Sequence, residues 1–183
     1  MSLLKRPKEE ATMEDLKSKI RDVPDFPKPG IIFKDIMPLL ADVKSFQKVI
    51  DLFAKRYSEK SIDYVVAVEA RGFIFGAALA YRIDAGFVPV RKKGKLPYKT
   101  ESVQYSLEYG TDTIEMHQDA IHSGSRVVVI DDLLATGGTS AATCELVHKT
   151  GGKVVECAFV IELGFLNGRE KLKQHEIFSL IQY

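Results

Sequence analysis

The feature that most limits what this chain can fold into is Val127-Val128-Val129-Ile130, four β-branched residues in a row, followed by Asp131-Asp132 and then by the small-residue run Ala135-Thr136-Gly137-Gly138-Thr139. An unbroken apolar run belongs to a strand covered on both faces, as in a parallel sheet, and not to a strand with one wet face. Parallel neighbours need long crossover connections, usually helical. Tyr64–Val68 and Lys153–Glu162 are two further runs of this kind, and residues 86–90 make a short one in which Pro89 points to an edge or an irregularity. Helical spacing falls between these runs over residues 73–82 and 140–150, the second closed by Gly151-Gly152. It also precedes them over residues 45–57, where Phe46, Val49, Ile50, Phe53 and Tyr57 share a face. The expected fold is α/β, a central and mostly parallel sheet flanked by helices.

Two segments depart from this alternation. Met13, Leu16, Lys17 and Ile20 are spaced as a short helix over residues 13–21, before Val23-Pro24-Asp25-Phe26-Pro27-Lys28-Pro29-Gly30. Three prolines within six residues forbid helix there and favour an extended or turning path into Ile31-Ile32-Phe33. Further on, Val103, Tyr105, Leu107 and Tyr109 alternate with Gln104, Ser106 and Glu108, turn through Gly110-Thr111-Asp112 and alternate again through Ile114 and Met116. That is a two-stranded hairpin. A chain of 183 residues without repeat or linker is expected to form one domain over 1–183, with an amino-terminal segment at 1–35 and a hairpin region at 99–120.

Charge excludes some partners. Lys and Arg number 26 against 25 Asp and Glu, a net charge of +1, which argues against a nucleic-acid or membrane-surface binder held by overall charge, so any anion site must be local. Cys144 and Cys157 lie in a helical and a strand segment without a second ligand set, and neither zinc nor a disulfide is expected. His117, His122, His148 and His175 lack metal spacing and read as surface histidines. The start, Met1-Ser2-Leu3-Leu4-Lys5-Arg6, has no apolar core of a signal peptide, and the uncharged stretch at 73–81 falls far short of the ~18 residues of a membrane span. A cytoplasmic protein is expected.

The loop after the strongest strand carries the chemistry. At the carboxyl end of a parallel strand, residues 135–139 can wrap a phosphate with backbone N–H groups and the hydroxyls of Thr136 and Thr139, aided by the positive end of the following helix. Neither the Lys of a Walker A loop nor the G-x-G-x-x-G fingerprint is present. Asp131 and Asp132 are poor neighbours for a phosphate but good acceptors for sugar hydroxyls or for the water shell of magnesium. Phosphate at one end and polyol at the other describe a ribose 5-phosphate; the plainer alternative is a solvated turn and a helix cap. Arg91, Lys92, Lys93, Lys95 and Lys99, five cations in nine residues, form either a solvated loop or an anion cage.

The stretch from Val127 to Thr139 resembles the 5-phosphoribosyl 1-pyrophosphate motif of the type I phosphoribosyltransferases. Further stretches are similar to the adenine phosphoribosyltransferase family: Pro24-Asp25-Phe26-Pro27-Lys28-Pro29-Gly30-Ile31-Ile32-Phe33-Lys34-Asp35-Ile36 to its purine-site segment, Arg71-Gly72-Phe73 to its pyrophosphate loop, Arg91-Lys92-Lys93-Gly94-Lys95-Leu96-Pro97 to its basic segment, Tyr105-Ser106-Leu107-Glu108-Tyr109-Gly110 to its mobile catalytic loop, and Phe178-Ser179-Leu180-Ile181-Gln182-Tyr183 to its tail. The likeness runs from about Leu16 to the last residue.

The resemblance implies a fold with a flexible hairpin lid and a small amino-terminal hood, and the reaction of adenine with 5-phosphoribosyl 1-pyrophosphate to AMP and pyrophosphate in purine salvage. It implies Glu108 as the catalytic residue, with Tyr109 beside it; Ile32, Phe33 and Lys34 on adenine; and Arg71, Lys92 and Lys95 on the diphosphate. Asp131 and Asp132 would hold the ribose hydroxyls, and Ala135, Thr136, Gly137, Gly138 and Thr139 the 5-phosphate. Magnesium would arrive on the diphosphate, with no direct protein ligand, or reach Asp131 through water. A cis peptide between Glu69 and Ala70 and a homodimer are implied in the same way. Ala135 stands where enzymes for 6-oxopurines usually carry an acid, a departure that leaves proton transfer at the base to Glu108; a hypoxanthine or xanthine enzyme is kept as the alternative, and a regulator that senses phosphoribosyl pyrophosphate is another.

Overall fold

The computed structural model describes residues 13–106 and 110–183. These fall into two compact units, divided after Leu52 inside a helix.

The first unit contains α1 (Met13–Ser18), β1 (Arg21–Pro24), β2 (Ile32–Asp35), α2 (Met37–Ala41) and the start of α3 (Val43–Tyr57). The helix expected over residues 13–21 stops at Ser18, and the chain then extends, so that β1 and β2 pair antiparallel with Val23 opposite Phe33 and Asp22 opposite Lys34. The proline-rich connection turns through Asp25 at φ 57° and a cis Phe26–Pro27 bond, and the Asp25 carboxylate accepts the Gly30 amide at 2.7 Å. Short α2 begins around Pro38 and was not visible in the apolar spacing, because five residues are too few to show a period.

The second unit is built on a seven-stranded sheet in the order β5-β6-β4-β3-β7-β8-β9. Its strands are β3 (Tyr64–Val68), β4 (Gly86–Lys92), β5 (Thr100–Ser106), β6 (Thr111–His117), β7 (Arg126–Leu134), β8 (Lys153–Glu162) and β9 (Ile177–Gln182). The five strands from β4 to β9 are parallel, and the β5–β6 hairpin joins antiparallel through Arg91 and Lys92 of β4. Pro89 pairs with Ala67 on its β3 side, and β6 begins its pairing only at Arg91, so the proline occupies a stretch of β4 that is locally an edge. Residues 65–68 and 127–130 are buried, as expected of strands covered on both sides.

Side chains alternate between the faces. Val66, Val68, Val127, Val129, Cys157 and Phe159 form one core with Leu146 and Val147 of α5 (Gly138–Lys149). On the opposite face, α4 (Arg71–Arg82) approaches so closely at Gly76 that an added Cβ would lie 2.7 Å from the Ala67 Cβ and 3.3 Å from Ile130. A bulge in β8 brings Val154 opposite Val127 but Glu156 opposite Val128. The extra residue turns Glu156 away from the α5 core. There the carboxylate, 2% exposed, accepts two bonds from Arg56 at 2.6 Å each and one from the Tyr57 hydroxyl at 2.6 Å.

One expectation needs correction. Not all the histidines are on the surface, since the Nε2 of His117 is buried and His175 is partly buried, its pKa lowered by that burial and by His148. Cys144 and Cys157 are free thiols whose sulfurs lie 3.4 Å apart between α5 and β8, a tertiary contact that a spacing of thirteen residues does not announce. Among the described residues no helix is long and apolar enough to cross a membrane.

Burial alone would raise the Glu156 carboxyl, but the bonds from Arg56 and Tyr57 outweigh it and hold its pKa below the ordinary range. Glu156→Gln is expected to cost about 3 kcal/mol at neutral pH, since one partner of a buried pair is removed. A depressed folded pKa stabilises the protein above the unfolded value and ceases to do so as pH falls through the folded one. The gap between the two proteins in urea unfolding should therefore narrow below about pH 4.3; a gap independent of pH would show that the charge of Glu156 is not what matters.

Candidate active site

The chain leaves β3 for β4 on one side and places β7 on the other, so the strand order reverses between β3 and β7. In open α/β sheets ligands bind in the crevice outside the carboxyl ends of strands at such a reversal. The segment Glu69-Ala70-Arg71 leaves β3 at this point, through a Glu69–Ala70 peptide that is cis, as expected. A cavity of about 350 Å³ opens there, lined among others by Arg71, Lys92, Tyr105, Asp131, Asp132 and Thr139.

The acids lie within β7, which runs on to Leu134, beyond the apolar run that ends at Ile130. The strand continues because β8 keeps pairing with it as far as Leu134 opposite Glu162, whereas the β3 ladder ends at Ala67 opposite Ile130. Asp131 and Asp132 thus have a neighbour strand on one side only. Asp132 is 5% exposed and accepts a short bond from the Arg71 guanidinium. Asp131 is less shielded by area, yet protein crowds its carboxyl: a Cβ on Gly72 would lie 2.8 Å from its Oδ1, which also accepts the Asp132 amide at 2.9 Å. Burial, and then the neighbouring Asp132 charge, push Asp131 well above the usual carboxylate range, with Arg71 opposing.

After Leu134 the chain passes through Ala135 and Thr136 to Gly137, at φ 75°, and enters α5. The left-handed conformation at Gly137 is one that glycine adopts without a steric cost. The first intrahelical bond is Ala141 N–H to Gly137 C=O at 3.0 Å, so the amides of Gly138, Thr139 and Ser140 have no partner within the helix and face its open end. Thr139 Oγ1 donates to the Tyr105 hydroxyl at 3.3 Å, linking the loop to the hairpin.

The basic segment is organised by acids that sequence reasoning did not single out. Glu69 accepts the Lys92 amide at 2.6 Å and Arg91 Nη2 at 3.3 Å, and Lys95 Nζ is 3.9 Å away. Lys92 Nζ lies 3.2 Å from Asp112 of β6, which raises the lysine pKa. Only the sheet brings Lys92 and Asp112 together. Of the residues proposed from sequence, Arg71, Lys92, Asp131, Asp132 and Thr139 line the one cavity, while Lys95 stands at Glu69 and residues 135–138 form the turn into α5. Ile32, Phe33 and Lys34 lie on β2 of the other unit, where Phe33 meets Phe26 edge to face at 5.2 Å and Lys34 Nζ bonds Asp22 at 2.6 Å. Glu108 and Tyr109 lie outside the described residues.

The phosphoribosyl transferase domain family matches residues 38–181. The adenine phosphoribosyltransferase of Syntrophotalea carbinolica is 61% identical over 171 residues, covering 93% of this chain and 100% of that protein. This chain belongs to the adenine phosphoribosyltransferases. The crystal structure of the adenine phosphoribosyltransferase from Thermoanaerobacter pseudethanolicus superposes with a TM-score of 0.91 at 55% identity, covering 94% of this chain and 100% of that one. The adenine phosphoribosyltransferase of Saccharomyces cerevisiae, solved with D-2,5-dideoxy-2,5-imino-altritol 1,6-bisphosphate and adenine, gives 0.88 at 44% identity, covering 92% and 97%. The central sheet with its flanking helices is thus the fold of adenine phosphoribosyltransferases.

The coupling of Asp131 to Asp132 can be read directly. In a carbon NMR titration, Asp131 is expected to ionise above the ordinary Asp value of about 3.9, and Asp132→Asn, by removing the like charge, should move it down. An Asp131 midpoint at or below the ordinary value, or one unmoved by the substitution, would contradict the arrangement described.

Proposed function

We propose that this protein transfers the phosphoribosyl group of 5-phosphoribosyl 1-pyrophosphate to adenine, yielding AMP and pyrophosphate in purine salvage. The observation that carries the reading is the pair Asp131 and Asp132 on the overrunning end of β7, directly before a glycine turn into a helix: acceptors for sugar hydroxyls beside donors for a phosphate. In the reaction, adenine N9 forms a bond to ribose C1 while the C1–oxygen bond breaks and its electron pair leaves with the diphosphate. The proton on the purine must depart. Asp131 and Asp132 hold the ribose hydroxyls and favour positive charge on the ring. The amides and hydroxyls of residues 136–139, with Ala135, hold the 5-phosphate.

Arg71, Lys92 and Lys95 receive the diphosphate, and each already faces a carboxylate that the ligand would exchange for its own oxygens. Magnesium would come with the diphosphate as part of the substrate, and bound there it would supply charge neutralisation for the leaving group. Among the described residues no group of three or more His, Cys, Asp or Glu side chains is arranged to hold a metal ion, and two adjacent carboxylates suit a contact through water. Glu108 takes the purine proton, with Tyr109 beside it on a hairpin that closes as a lid; this role rests on the Tyr105-Ser106-Leu107-Glu108-Tyr109-Gly110 motif. Adenine is bound at Ile32, Phe33 and Lys34, by stacking on Phe33 and by main-chain groups. A homodimer, resting on family resemblance, and a cytoplasmic location, expected from the sequence, complete the proposal.

Main-chain recognition gives the test. A C=O that meets the adenine amino group and an N–H that meets the adjacent ring nitrogen both face the wrong partner in hypoxanthine, and each buried mismatch costs on the order of 1–3 kcal/mol. Adenine should exceed hypoxanthine in kcat/KM by at least ~10². Comparable values would favour the 6-oxopurine alternative, and absence of AMP formation would favour a regulator. Glu108→Ala is expected to lower kcat by roughly 10²–10⁴ with little change in KM for phosphoribosyl pyrophosphate; an unchanged kcat would remove Glu108 from the chemistry.

A further inference from the structure

The segment after β8 takes no part in the site as described. It consists of two short turns of 3-10 helix, Gly164–Leu166 and Gly168–Leu172, joined at Asn167 with φ 52°. Its path nevertheless meets the phosphate turn. A Cβ on Gly168 would collide with the Ala135 carbonyl oxygen and lie 2.9 Å from Leu134 Cδ1. A Cβ on Gly137 would collide with the Gly168 carbonyl oxygen. Backbone therefore rests on backbone from both directions, with no room for a side chain between them.

The segment is itself fixed. Arg169 Nε and Nη2 grip the two oxygens of Glu162 at 2.6 and 2.7 Å, the Ser179 hydroxyl donates to the same carboxylate at 2.6 Å, and Leu172 is 0% exposed. The Leu163 amide donates to the Leu134 carbonyl at 2.9 Å, tying the segment to the end of β7. A turn of Ala, Thr and Gly has almost no side-chain packing of its own to hold its amides in place. What bears on it from behind sets their direction.

We infer that Gly168, held by the Arg169–Glu162 pair, is a positioning residue for the 5-phosphate turn: it sets the backbone conformation in which residues 136–139 receive the phosphate. The inference rests on the proposal that this turn binds the 5-phosphate. Gly168 is not in the left-handed region, so alanine is compatible with its backbone and only the close approach opposes it.

The test is Gly168→Ala, with binding of AMP and of inorganic pyrophosphate with magnesium measured by calorimetry on the full chain. Of the two anion sites, AMP engages only that of the 5-phosphate and pyrophosphate only that of the diphosphate. AMP affinity should fall at least ~10-fold, as expected for a displaced set of donors, while pyrophosphate affinity changes less than about 2-fold. Arg169→Lys keeps the charge but loses the two-pronged grip, and should weaken AMP in the same selective way; it decides the matter if Gly168→Ala does not fold. Unchanged AMP affinity in a folded variant, or equal loss of AMP and pyrophosphate, overturns the inference. Thr139→Ala separates the two layers: if it weakens AMP and Gly168→Ala does not, only the positioning role is wrong, whereas if Thr139→Ala leaves AMP unaffected the phosphate reading falls and takes this inference with it.

Discussion

The ladder between β3 and β7 stops at Ala67 opposite Ile130, and much else follows from where it stops. Up to that point both strands are buried and apolar. Beyond it the chain from β3 turns away through Glu69 while β7, still paired to β8, continues for four residues. One flank of Asp131 and Asp132 is thereby opened, in a strand whose other flank remains rigid. A loop at this place could supply the same residues, but a half-paired strand supplies them with the backbone already ordered, and the entropy of fixing them is met by folding and not by ligand binding.

Charge in the second unit is arranged as local pairs of opposite sign. Arg71 sits on Asp132, Lys92 on Asp112, and Arg91 with Lys95 on Glu69. A net charge of +1 therefore conceals a concentration of cations whose fields are already balanced by protein. A pairing of this kind holds long side chains in place without leaving a bare positive patch, which would attract anions indiscriminately.

The strands and helices of the second unit were legible in sequence because burial on two faces leaves apolar runs and burial on one leaves a helical period. Tyr64–Val68 was read with its observed bounds for that reason. The end of β7 is not legible in the same way, because two aspartates look like the end of a strand and only the β8 register shows that the strand continues. Glu69 and Asp112 escaped notice for a related reason: each is an ordinary acid near a turn until the fold brings Lys92 to both. Motif resemblance drew attention to Asp131, Asp132 and residues 135–139, but could not show what stands behind the turn, since Gly168 lies some thirty residues onward in a stretch with no motif of its own.

The bulge in β8 gives the chain a dependence on counting. Before it, the strand faces α5 with Val154; after it, the alternation is reversed, so that Cys157 and Phe159 join the α5 core and Glu156 meets Arg56 and Tyr57. Were Val155 deleted, Val154 and Glu156 would become consecutive and keep Val127 and Val128 as partners in a regular ladder, whereas a residue lost or gained beyond Glu156 would carry every later side chain to the opposite face. A one-residue length change is thus absorbed at the bulge and nowhere further along the strand, so over evolutionary time Val155 should be the place where β8 gains or loses a residue.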